Sequence, residues 1–321
     1  MSDLPKLIHP WMIAVWPGMG NVGVSAGYYM MARLGMHLLS ELSSQGLFDV
    51  DHVEVKSGLI RTGRLPRNRL FIWKDPDERR DLVVFLGEAQ PATGKYAFCE
   101  RLMDVAQQLG VERVFTFAAM ATQMHPEHDS RVFTAATDEK TLFELRQHDL
   151  QVLEEGNISG LNGVLLGVAA ERGLAGASFL GEMPHIFAQL PFPKASLAVL
   201  QAFAQIARLD IDVSELAEQA RIVDEKLGEL LARAEGRLGG QQPEEEEETF
   251  GSLKEEPEEE RLSPRDRQKI EQLFEQAAQD RARAYELKAE LDRLEAFQEY
   301  EDRFLDLFKN PGYTEPSVDP G

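Results

Sequence analysis

Gly18-Met19-Gly20-Asn21-Val22-Gly23 has the G-x-G-x-x-G spacing. It follows an apolar run, Trp11 to Trp16, and opens a stretch that reads as a buried helix to about Leu34. In a dinucleotide site the glycines let backbone amides at a helix N-terminus meet a pyrophosphate. That chemistry also wants an acidic residue at the end of a second strand, about 20 residues on. Glu41 has the spacing but sits in Leu-Ser-Glu-Leu-Ser-Ser, which does not read as a strand end. The other reading is structural: glycines for a tight turn and close helix packing. Gly18, Gly20, Asn21 and Gly23 are the candidate residues under the first reading.

Gly87-Glu88-Ala89-Gln90-Pro91 follows a continuous apolar run and so lies at the carboxyl edge of a strand. Ligands of open α/β sheets bind at that edge. Glu88 and Gln90 have the chemistry to bind a sugar or an amide there, or to cap and turn a loop. Glu182, in Gly181-Glu182-Met183-Pro184, and Lys194, after Pro191-Phe192-Pro193, are candidates for an ion pair or a site pair. His125-Pro126-Glu127-His128 has H-x-x-H spacing, but no further Cys or His stands nearby to complete a metal set. No metal, cofactor or catalytic residue is assigned. G-x-S-x-G, P-loop and C-x-x-C motifs are absent from the sequence.

These residues need a frame to hold them. Leu82 to Leu86 is apolar and β-branched throughout, the pattern of a central strand buried on both faces. Trp11 to Trp16 and Glu112 to Ala118 read likewise. Further extended segments are expected at Leu47–Val55, Leu70–Trp73 and Ala175–Leu180. Helices are expected at Lys95–Leu109, Thr137–His148, Asn162–Arg172, Lys194–Leu209 and Val213–Ala234. Strands alternating with helices predict a three-layer α/β sandwich with a mostly parallel central sheet over residues 1–238.

The rest of the chain is a different object. Its 321 residues carry a net charge of −21, and Gln241 to Gly321 alone hold 24 Asp+Glu against 11 Lys+Arg. Two glutamate blocks between 239 and 262 self-repel and have little to bury, so an acidic disordered linker is expected there. Ser263, Pro264 and Asp266 then mark a helix start. An apolar stripe runs from Ile270 to Phe308, interrupted at Asp280, Gln298 and Glu301. It predicts one long amphipathic helix over 263–309, roughly 65 Å at 1.5 Å per residue. Such a helix needs a partner, its own copy or the globular domain. Residues 310–321 are expected to be a disordered tail.

The acidic balance argues against nucleic acid and anionic membrane as partners. Cys99 is the single cysteine, the N-terminus lacks a signal-peptide pattern and no run approaches 18 apolar residues, so a cytoplasmic protein is expected.

Taken together, five segments occur in a recognisable order: Pro17–Gly23, Gly87–Pro91, Gly160–Leu166, Glu182–Pro184 with Pro191–Ala195, and Leu209–Val213. Over about residues 10–235 the chain resembles the proteasome assembly chaperone family with its PAC2-type domain. The resemblance implies a fold like that of purine nucleoside phosphorylases. It also implies homo-oligomers and protein binding, with a proteasome-related partner. The expected function is a homo-oligomeric protein-binding scaffold. The rival is an enzyme on a small polar metabolite or nucleoside, with Glu88, Gln90 and Glu182 as polar groups. A ligase label carried by some members finds no nucleotide-binding signature here. Proteasome-binding members often end in a hydrophobic residue, tyrosine and any residue. This sequence departs from that, with Tyr313 well before Ser317-Val318-Asp319-Pro320-Gly321.

Overall fold

A computed structural model describes residues 5–49, 53–239, 262–294 and 296–309. Strand β1 (Trp11–Val15) shows why the sheet lies between two layers. Trp11, Ile13 and Val15 enter one core, and Met12, Ala14 and Trp16 enter the other. Period-two alternation puts neighbouring side chains on opposite faces, and here both faces are covered.

Among the described residues, eight strands form one sheet in the order β2-β5-β6-β1-β7-β10-β8-β9. They are β2 (His37–Leu42), β5 (Asn68–Trp73), β6 (Leu82–Gly87), β1, β7 (Arg113–Thr122), β10 (Ala175–Pro184), β8 (Val132–Ala136) and β9 (Gln151–Val152). The centre, β6-β1-β7-β10, is parallel. Antiparallel pairs flank it: β2 with β5, β5 with β6, and β8 with β10. Strands β3 (Val53–Lys56) and β4 (Leu59–Thr62) form a separate hairpin.

Helices α1 (Val22–Arg33), α5 (Pro193–Ala207) and α6 (Ser214–Gly239) cover one face. Helices α2 (Lys95–Gln108) and α4 (Gly160–Glu171) cover the other. Helix α3 (Glu139–Leu145) begins at Asp138, whose side chain accepts from the Thr141 amide at 2.9 Å. The expected three-layer α/β fold is present, with a mixed sheet whose parallel part is central.

Three sequence expectations need correction. His37–Leu42 is a strand, although Ser40 and Glu41 obscure its pattern. Of the expected strand Leu47–Val55, the described residues 47–49 hold a bridge between Gln45 and Phe48, and β3 takes up from Val53. Among the described residues, the single long helix expected over 263–309 is instead α7 (Pro264–Gln279), α8 (Ala284–Arg293) and α9 (Phe297–Asp306). Ser263 does cap α7, accepting from the Asp266 amide. Asp280 ends it, with φ −136° and ψ 105°, and its carboxylate accepts from the Ala282 amide to start the next turn. The breaks let one apolar stripe fold back over a single face instead of projecting from it.

That face belongs to the globular domain. Tyr28 of α1 packs edge-on against Phe297 and Phe304, with ring centroids 5.4 and 5.6 Å away. Tyr29 meets Tyr285 at 4.4 Å, and Phe71 of β5 meets Phe308 at 6.1 Å. The Leu38 amide of β2 donates to the Phe308 carbonyl at 2.8 Å. Residues 1–238 therefore share their core with the C-terminal helices. Almost all of the expected acidic linker and all of the tail lie outside the described residues.

Candidate functional site

The glycine loop ends β1 and opens α1. Three of its amides are already engaged: Gly20 donates to the Ala188 carbonyl and Asn21 to the Gly18 carbonyl, each at 3.0 Å, and Val22 donates to the Met19 carbonyl. A pyrophosphate needs those donors free. Gly20 has φ +59° and lies against Met183 and Phe192. A Cβ on Gly23 would stand 2.1 Å from the Phe117 carbonyl oxygen. The loop's glycines thus satisfy a left-handed turn and a close helix–strand contact.

The fold also lacks the dinucleotide arrangement. In that fold the second strand runs parallel beside the first. Here β2 is antiparallel to β5 and lies at the sheet edge, with β5 and β6 between it and β1. Glu41 does fall near the end of a strand, but its carboxylate accepts from Arg67 and Arg69.

Glu88 belongs to that same charge cluster. It accepts from Arg69 Nη1 at 3.0 Å, from Arg64 Nη1 at 2.9 Å and from the Arg67 amide at 2.8 Å. Arg69 is buried, and its other donors reach Glu41 at 3.2 Å and Asp302 of α9 at 2.5 Å. Arg67 also donates to Asp302, at 2.9 Å. Burial raises the Asp302 carboxyl, but the Arg69 and Arg67 hydrogen bonds and the Arg64 charge hold it below its usual range. Sequence reading singled out Glu88 and missed Arg67, Arg69 and Asp302. Only the run of arginines at 64, 67 and 69, entering an apolar strand, could have flagged them.

Glu182 and Lys194 do not pair. Glu182 is buried and takes two bonds from Arg131 at 2.7 Å and one from Thr122 Oγ1 at 2.7 Å. The Arg131 hydrogen bonds hold its carboxyl below the ordinary range. Lys194 donates to the Pro126 carbonyl at 2.8 Å and to the His128 carbonyl at 3.2 Å, and pairs with Asp224. Both residues fasten the 122–131 loop, Glu182 to β10 and Lys194 to α5.

Gln90 closes the α4 N-terminus, its Oε1 accepting from the Leu161 amide at 3.0 Å. It also lines a cleft of about 570 Å³ at the carboxyl edge of β1 and β7. Gly18 and Gly23 line the same cleft, with Trp16, residues 118–121 and the loop at 153–160. Gly20 and Asn21 face a neighbouring depression beside Ala188–Leu190. The structure thus brings together Gly18, Gly23 and Gln90. Glu88, Glu182 and Lys194 sit in separate bonded clusters. Asn162, from the Gly160–Leu166 segment, also lines the cleft, and its Oδ1 is buried without a hydrogen-bond partner.

His125 and His128 stand 5.8 Å apart between ring centroids. Among the described residues, no group of three or more His, Cys, Asp or Glu is placed to hold a metal ion. Among the described residues, no helix is long and apolar enough to cross a membrane.

The PAC2 family model matches residues 12–231. The crystal structure of PbaB, an archaeal proteasome activator from Pyrococcus furiosus, is 29% identical, with a TM-score of 0.60. The match covers 71% of this chain and 96% of PbaB. A proteasome-assembly chaperone homologue of Mycobacterium tuberculosis shares the fold at 22% identity and a TM-score of 0.59, over 68% of this chain and 94% of that one. An uncharacterized protein of Methanocaldococcus jannaschii is 26% identical over 224 residues, 69% of this chain and 83% of its own length. Helices α7 to α9 lie beyond the matched region.

Proposed function

Because the chain belongs to the PAC2 family, we propose that it is an assembly-chaperone-like scaffold that self-associates and binds a proteasome-related protein. PbaB, a proteasome activator, and the mycobacterial proteasome-assembly chaperone homologue suggest the kind of partner. The polar side chains of the family-like segments support a scaffold over an enzyme. Glu88, Glu182 and Lys194 spend their hydrogen bonds on arginines, a threonine, an aspartate and backbone carbonyls.

The observation that carries self-association is the β3–β4 hairpin. Val55 lies opposite Ile60, and Val53 opposite Thr62, so these four share one face. Val53, Val55 and Ile60 are 52, 68 and 75% exposed. A lone two-stranded hairpin is marginal in water, and an apolar face on it calls for a cover. A second copy offers the same face, which suits an isologous contact.

Native mass spectrometry of the full-length protein, beside Val55→Asp and Ile60→Asp, tests this. A closed oligomer whose copy number falls in both variants is expected. A wild-type monomer at micromolar concentration would overturn self-association. Recovery of proteasome subunits by the full-length protein, and not by a charge-matched control protein, is the expected result for the partner.

A further inference from the structure

Strand β7 is longer than the strand that covers it. On one flank it pairs with β10 along its whole length, from Arg113 to Thr122. On the other flank it pairs with β1 only through Thr116, opposite Ala14. Beyond that point β1 turns away into the glycine loop, and residues 118–121 line the cleft instead. They are half-buried, not covered.

Backbone N–H and C=O groups of successive strand residues point to alternate flanks. The Phe117 carbonyl faces Gly23 at the start of α1. Phe117 therefore turns its polar groups to the β1 flank, where Gly23 of α1 covers its carbonyl, and Ala119 and Ala121 follow with the same orientation beyond that contact. Such an open edge is a template for an added strand. Its small side chains, Ala118, Ala119 and Ala121, leave the room that the cleft of about 570 Å³ records. The four residues 118–121 of this edge span roughly 13 Å, enough for about four residues of extended chain.

The walls describe the guest. The lining includes Glu155 and no lysine, arginine or histidine, so a phosphate or an acidic segment finds no counter-charge.

We propose that this cleft is a peptide-binding site, which takes an extended, neutral or basic segment of a partner protein as an added strand on the open edge of β7. The assignment rests on the scaffold reading and names where the partner docks. It places recognition at the carboxyl edge of β1 and β7.

The test uses the full-length protein and three blocked hexapeptides: alternating valine and lysine, the same with every second amide N-methylated, and alternating valine and glutamate. Binding is read by titration calorimetry and by hydrogen exchange across residues 113–122. The valine–lysine peptide should bind and slow exchange of the Ala119 and Ala121 amides about tenfold or more. The N-methylated and glutamate peptides should each bind at least about tenfold more weakly, because one removes the strand's donors and the other its charge match. Absence of binding at millimolar peptide would overturn the proposal. So would binding that N-methylation leaves unchanged, or protection outside the cleft. An Ala119→Trp variant that fills the cleft should abolish binding while the oligomer persists. If the peptides fail and the oligomer stands, the cleft assignment falls alone. If the oligomer fails and the peptides bind, the fault lies with self-association.

Discussion

Arg69 of β5 donates to Asp302 of α9 across 233 residues of sequence. The guanidinium is 2% exposed, while the aspartate is 47% exposed. The pair therefore reaches from inside the sheet layer to the outer rim of the last helix. Glu41 and Glu88 hold the remaining donors, so one arginine ties β2, β6, the edge loop and the C-terminal helices together. Burying a guanidinium is costly unless each donor is met, and here three carboxylates meet it. The C-terminal helices are thus bound to the domain by a polar tie as well as by the Tyr28 and Phe71 ring contacts.

Removing the arginine takes the buried cation from between Glu41 and Glu88 and leaves them only Arg67 and Arg64. Arg69→Ala should cost on the order of 3 kcal/mol in denaturant unfolding, the range for breaking a buried pair by losing one partner. Asp302→Asn should cost much less, since its carboxylate is half in water. The double variant should fall well short of the sum. Strict additivity in urea titrations would show that the two residues do not act together.

Cys99 sits on α2 with no exposed surface, and burial pushes its thiol up to about 12. Reaction needs the thiolate and access to it. In the native protein, thiol-exchange reagents should label Cys99 at least roughly a thousandfold more slowly than in denaturant, at a rate set by opening of the fold. Fast stoichiometric labelling under native conditions would place Cys99 outside the core.

Where a pattern is local, the sequence was readable. Leu82 to Leu86 is apolar throughout because both faces of β6 are covered, and its strand follows directly from that run. Ser263 and Asp266 mark the α7 start through a bond only three residues long. Where the pattern depends on distant partners, it was not. His37–Leu42 carries Ser40 and Glu41 in a strand because Glu41 meets Arg67 and Arg69, 26 and 28 residues away. The break at Asp280 reads as a polar interruption of a stripe until the curved face it must follow is known. The cleft was half legible: Gly18, Gly23 and Gln90 stood in motifs, but the open flank of β7 depends on how far β1 runs beside it.

Gly23 is the most sterically demanding of the glycines at the head of α1. Its missing Cβ would meet backbone, the Phe117 carbonyl, at 2.1 Å, and backbone cannot swing aside like a side chain. Gly23→Ala must lift α1 from β7, with an expected loss of about 3 kcal/mol or insoluble expression. Gly18→Ala is the control, since nothing lies within 4 Å of its Cβ position. It should melt within about 1 °C of the wild type. Equal behaviour of the two variants in thermal melts would refute the contact.

Glu301 carries the opposite charge problem to Asp302 beside it. Burial, and then the negative Glu88, push its carboxyl above the usual range, against the Arg69 and Arg64 charges. Its Oε1 accepts from the Tyr28 hydroxyl at 2.9 Å. A carboxyl with a raised folded pKa contributes stability that is complete below its unfolded value, about 4.3, and lost as pH rises through the folded value. Above the folded value the ionised Glu301 is therefore a penalty on docking of α9. Glu301→Gln keeps an acceptor for Tyr28 and removes the charge. It should raise the melting temperature by about 2 °C near pH 7.5 and leave it unchanged near pH 4. Melts across that range decide the matter: a gain that does not grow with pH would mean that the charge is not what Glu301 costs the fold.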